Sequence, residues 1–135
     1  MATSKVKYIG SLRTTATHLK SGETIITDAP VDNNGKGEAF SPSDLLATSL
    51  ANCMITIMGM AANTHDIKLG EVEAEVTKVM VTEPRRVSEI HVNFNFPNKS
   101  VYSDKEKKIL EHAAMTCPVF YSLHPDIKKE VQFNW

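Results

Sequence analysis

The run from Leu45 to Ala62 constrains this chain more than any other segment. It is apolar or small at nearly every position, interrupted only by Thr48, Ser49, Asn52 and Thr56. Its start is well marked. Ser41 is a natural N-cap, Pro42 fits the first helical position and Asp44 falls at the third. That is a capping-box arrangement, with an acid where the helix dipole favours one. Leu45/Leu46, Ser49/Leu50, Cys53/Met54, Ile57/Met58 and Ala61 recur at steps of four. Ala47, Ala51, Gly59 and Ala62 keep the remaining faces small. A helix that is apolar or small nearly all round must be buried on most sides. A chain of 135 residues has little with which to cover it, so the pattern predicts that a second subunit helps.

The bulk properties limit the function classes. The length predicts a single domain, residues 1–135, with a respectable core. The formal net charge of -1 gives no electrostatic reason to bind nucleic acid or an anionic membrane. Arg85-Arg86, Lys107-Lys108 and Lys128-Lys129 read as solvated faces. The N-terminal MATSKVKYIG lacks the apolar core of a signal peptide. No stretch reaches the roughly 18 consecutive apolar residues of a spanning helix. A cytoplasmic location is therefore expected, where a disulfide is transient and catalytic rather than structural.

The rest of the chain reads as strands around two further helices. Tyr8-Ile9 before Gly10, the Thr-rich Arg13 to His18, and Glu23 to Asp28 suit strands. Asp28-Ala29-Pro30 ends the third, and Asp32 to Gly37 is a loop by composition. From Val72 the period becomes two: Val72, Ala74 and Val76 alternate with glutamates. After the turn Glu83 to Arg86, Ile90, Val92, Phe94 and Phe96 alternate with polar residues. This predicts a long antiparallel hairpin with one wet and one dry face. Ser103 with Glu106 caps a second helix, whose inner stripe is Ile109, Leu110, Ala113 and Ala114. Val131, Phe133 and Trp135 alternate in a last strand. The fold class is α+β, with helices lying on antiparallel sheets.

Few residues can carry chemistry. Cys117, before Pro118, is placed as the N-cap of a short helix, where backbone amides and the helix dipole favour thiolate. The alternative is a small apolar residue closing a turn. Cys53 sits in the buried run and reads as core unless a cation or hydrogen-bond donor holds its thiolate. Arg13 is the candidate cation; by itself it reads first as a strand arginine pointing to water. His18, His65, His91, His112 and His124 show no metal-ligand spacing, and no metal or cofactor is expected. Met54, Met58, Met60 and Met115 read as core filler, or as an adaptable pocket lining.

Two segments resemble the motifs of the OsmC/Ohr family. Phe40-Ser41-Pro42-Ser43-Asp44-Leu45-Leu46-Ala47-Thr48-Ser49-Leu50-Ala51-Asn52-Cys53 is similar to its first cysteine motif. Ala113-Ala114-Met115-Thr116-Cys117-Pro118-Val119-Phe120-Tyr121-Ser122-Leu123 is similar to its second, at the expected separation. The likeness runs over nearly the whole chain, including Thr27-Asp28-Ala29-Pro30. It implies an intertwined homodimer with sheets wrapped around two central helices, and a thiol peroxidase acting on organic hydroperoxides. Cys53 would be the peroxidatic thiolate and Cys117 the resolving thiol. A dithiol such as a lipoyl group would be the reductant, and Arg13 the arginine beside the first cysteine. The family's peroxidases carry a glutamate directly after the motif proline, which orients that arginine. Ser43 stands there in this chain, with Asp44 one step further along the helix. The resemblance also admits a weakly active or non-catalytic dimer that binds a small molecule or senses redox state.

Overall fold

The computed structural model describes residues 1–97 and 101–135. The chain divides into two compact units, Met1–Leu46 and Ala47–Trp135.

The first unit is a three-stranded antiparallel meander: β1 (Ser4–Gly10), β2 (Arg13–His18) and β3 (Thr24–Asp28). A two-residue turn joins β1 to β2, and both its central residues, Ser11 (φ 55°) and Leu12 (φ 59°), have positive φ. That is the hand a tight hairpin requires, although glycine and asparagine usually supply it. Register then sets Arg13 directly opposite Asp28 across β2 and β3. After β3 a single 3-10 turn (Val31–Asn33) leads through a compact loop to Ser41.

Helix α1 (Pro42–Thr64) begins where the sequence marks it. Ser41 N–H donates to Asp44 Oδ2 (2.9 Å), and Asp44 N–H donates to Ser41 Oγ (3.1 Å). The capping box is reciprocal, with Asp44 in the acidic role.

The second unit is built on the remainder of α1. It holds β4 (Glu73–Val81), β5 (Arg86–Asn95), α2 (Asp104–Ala114), α3 (Pro118–Ser122) and β6 (Lys128–Asn134). Ala47, Leu50, Ala51, Met54, Met58 and Ala62 form the buried stripe of α1, spaced at three and four residues as one helix face demands. They share a core with Val87, Ile90, Val92 and Phe94 of β5 and with Leu110 and Ala114 of α2. Ile90, Val92 and Phe94 are fully buried, each contributing roughly 1.5–3 kcal/mol of apolar transfer. The capping box at Ser103 and Glu106 is present as read from the sequence.

Two expectations need correction. The second sheet is mixed: β4 pairs antiparallel with β5, but β6 runs parallel to β5. A parallel neighbour needs a crossover, and the segment carrying α2 and α3 supplies it. The methionines also divide. Met54 and Met58 are core, whereas Met60 (58% exposed) and Met115 (36%) are not. Met60 follows Met58 by two positions on a helix, which turns it away from the buried stripe. By length and composition α1 would be able to cross a membrane, a test that the core helix of a globular protein also passes.

Candidate active site

The two cysteines belong to the same unit, and the fold brings them together. Cys53 lies on α1 one position before Met54, half-buried and packed against the core. Cys117 is completely buried. It is the N-cap of α3, extended at φ -71° and ψ 144°, with Pro118 in the first turn. Its Sγ accepts the Phe120 N–H at 3.3 Å. Both are free thiols.

The Cys117 thiol is pushed up from its ordinary pKa, chiefly by burial. The Phe120 N–H opposes this. A hydrogen bond with Cys53 and the charge that Cys53 carries when ionised push it up further, and the Val119 N–H opposes weakly. The sequence correctly puts Cys117 at a helix N-terminus, but the expected bias towards thiolate is reversed. Two amides at the end of a five-residue helix do not offset complete desolvation beside a second sulfur. Burial and the neighbouring sulfur therefore favour the protonated form of Cys117. A thiol beside a second sulfur is the arrangement from which a disulfide can form.

In the first unit Arg13 is held by a carboxylate far away in sequence. Its Nε donates to Asp28 Oδ1 (2.6 Å) and its Nη2 to Asp28 Oδ2 (2.8 Å). Nη2 also reaches Glu38 Oε1 at 3.2 Å. The Asp28 side chain is 1% exposed and that of Arg13 25%. Asp28 Oδ2 accepts a further bond from the Glu38 N–H (3.0 Å). The hydrogen bond from Arg13, with help from the Glu38 amide, holds the Asp28 carboxyl below the usual carboxylate range against the cost of burial. The same bond raises the Arg13 guanidinium. Among the described residues no group of three or more His, Cys, Asp and Glu is arranged to hold a metal ion.

A family profile described as OsmC-like protein matches residues 35–132. The chain belongs to the OsmC family. It is 57% identical to a protein of known structure from Psychrobacter arcticus, described as a candidate osmotic stress-induced and detoxification response protein. That alignment covers 99% of this chain and 96% of the other, with a TM-score of 0.94. An organic hydroperoxide resistance protein OsmC from Legionella pneumophila shares the fold at 18% identity (TM-score 0.73, covering 100% and 98%). So does an OsmC-like protein from Mycoplasma pneumoniae at 20% identity (TM-score 0.78, covering 97% and 94%). A search of curated proteins found no match.

Cys53, Cys117, Ser43 and Asp44 all lie within the matched residues 35–132. Ser43 and Asp44 both lie in the first turn of α1, and Ser43 Oγ is 3.2 Å from Ser41 Oγ. Asp44 works as the helix cap. The residue whose site role the sequence does not reveal is Asp28, which there ends a strand and falls within the family likeness. The signal is the β2–β3 register, which pairs Arg13 with a residue 15 positions away.

Proposed function

We propose that this OsmC-family protein is a thiol peroxidase that reduces organic hydroperoxides. The observation that carries the proposal is the pair of neighbouring free thiols, with Cys53 half-buried and Cys117 fully buried. In the proposed cycle the Cys53 thiolate attacks one peroxide oxygen. The O–O bond breaks, the alkoxide leaves and takes up a proton as the alcohol, and Cys53 becomes a sulfenic acid. Cys117 then attacks the Cys53 sulfur. An S–S bond forms, and the hydroxyl departs as water with the Cys117 proton. A dithiol of lipoyl type reduces the disulfide by exchange and is itself oxidised to a cyclic disulfide. Arg13 is the cation proposed to meet the developing alkoxide.

The working form is proposed to be a homodimer, each chain a single OsmC-like domain, with its action in the cytoplasm. Support comes from apolar surface left uncovered on one chain. Val6 and Tyr8 are each 64% exposed on β1, and Met60 is 58% exposed on α1. Gel filtration should give twice the 14.9 kDa chain mass.

Ser43 favours a second reading, in which the dimer binds a small molecule or senses redox state without turnover. The two readings separate in one assay. Reduced protein with a dithiol should consume cumene hydroperoxide, and Cys53→Ser should abolish consumption. Ligand binding with equal, negligible consumption by wild type and Cys53→Ser would select the second reading.

A further inference from the structure

We propose that Asp28 is the positioning residue for Arg13, braced by the loop from Ala29 to Glu38. The inference rests on the reading of Arg13 as the cation of the peroxidase reaction.

The grip restricts the guanidinium in the way a positioning residue must. Asp28 uses both oxygens, one on Nε and one on Nη2. Two parallel bonds fix the plane of the group as well as its place. With the contact from Glu38, all three bonds engage Nε and Nη2. Nη1 is the end of the guanidinium left out of this clamp.

The loop is shaped to complete Asp28 and is not merely a connection. Pro30 O accepts the N–H groups of both Asn33 and Gly35 at 2.9 Å. Gly35 presses so closely on Ala29 that an added Cβ would sit 1.8 Å from the Ala29 carbonyl oxygen. That oxygen in turn accepts the Gly37 N–H at 3.2 Å. Gly37 has φ +63°, and a Cβ there would meet Val31 Cγ2 at 2.7 Å. The next amide, that of Glu38, is thereby delivered to Asp28 Oδ2. On the other side the Ala29 N–H donates to Leu12 O at 3.1 Å, tying the loop to the tight turn just before Arg13. The glycine pattern and the two positive-φ residues of that turn thus serve one carboxylate–guanidinium pair.

A pair that only glued two strands together would look similar, so the test separates positioning from support. The rate of Cys53 oxidation by cumene hydroperoxide is measured in wild type, Asp28→Asn, Arg13→Met and the double variant. If Asp28 acts through Arg13, Asp28→Asn slows the wild type about tenfold or more and slows Arg13→Met less than about twofold. An equal loss in both backgrounds, or none in either, overturns the proposal. Arg13→Lys keeps the charge but cannot take the two-oxygen grip. It should lose most of what Arg13→Met loses, and a full rate would overturn the proposal even if Asp28→Asn fails to fold. If the wild type does not react with hydroperoxide at all, the peroxidase reading fails and the clamp is judged by nitrogen-15 NMR. The Arg13 Nε–H should then give a resolved, slowly exchanging signal in the wild type. Rapid exchange there would end the clamp as well.

Discussion

Replacing Cys117 by alanine and by serine separates its structural role from its chemical one. The sulfur accepts the Phe120 N–H at 3.3 Å and is fully buried. Alanine removes the acceptor and leaves an orphan amide at the start of α3. Loss of a cap costs about 1 kcal/mol, within a range of roughly 0.5–2. The missing sulfur adds a small void, so the total is about 1–2 kcal/mol. For a chain of this size that lowers Tm by roughly 3–6 °C. Serine keeps an acceptor, and a better one, while its hydroxyl proton can be offered to Cys53 as the thiol proton is now. Both interactions are kept, and Cys117→Ser should melt within about 1 kcal/mol of wild type. Thermal unfolding of the reduced proteins followed by circular dichroism measures both. In turnover the variants should behave alike: one oxidation of Cys53, then a stall at sulfenic acid, seen as a dimedone adduct by intact mass. Sustained wild-type consumption by Cys117→Ser would refute the resolving role. An alanine variant as stable as the serine variant would refute the cap.

Three further outcomes follow from the same geometry. Iodoacetamide at pH 7.5 should label Cys53 and spare Cys117 until the protein is unfolded, as mass spectrometry of tryptic peptides would show; equal labelling of both in the native protein would contradict the sealed, protonated Cys117. Stability should fall on both sides of neutrality. The lowered Asp28 gives stability that is present above about pH 4 and lost as pH falls through its folded value. The raised Cys117 gives stability present below about pH 9 and lost as pH rises through its folded value. Urea unfolding against pH should show both limbs, the acid one weakened in Asp28→Asn and the alkaline one in Cys117→Ser. Oxidation of Cys53 to Cys117 would close a loop of 64 positions, worth about 4 kcal/mol by the loop-entropy relation. The oxidised form should therefore melt higher than the reduced form in calorimetry, and a lower melting point would mean that the bond strains the fold.

Much of this architecture was legible because it is written locally. The caps at Ser41 and Ser103, the proline after Cys117 and the change of period at Val72 each involve residues within a turn or two of one another. What could not be read depends on distant segments meeting. Arg13 and Asp28 become partners only through strand register, and nothing in Asp28-Ala29-Pro30 distinguishes a buried carboxylate from a turn residue. The parallel direction of β6 leaves no trace in the alternation of Val131 and Phe133, which is the same for either direction. The upward shift of the Cys117 thiol follows from complete burial beside a second sulfur, whereas its neighbours in sequence argue for the opposite. The family profile begins at residue 35, so Arg13 and Asp28 lie outside the region it matches.

The parallel pairing of β6 has a consequence for assembly. The polypeptide that returns to start this last strand is the same one that carries Cys117. A nascent chain that stops short of the return, or docks it in the wrong place, forfeits the closing strand and its second sulfur together. Incorrectly assembled molecules would then be unstable and, in the proposed cycle, would stall after one oxidation of Cys53, so a second turnover doubles as a report that folding has finished.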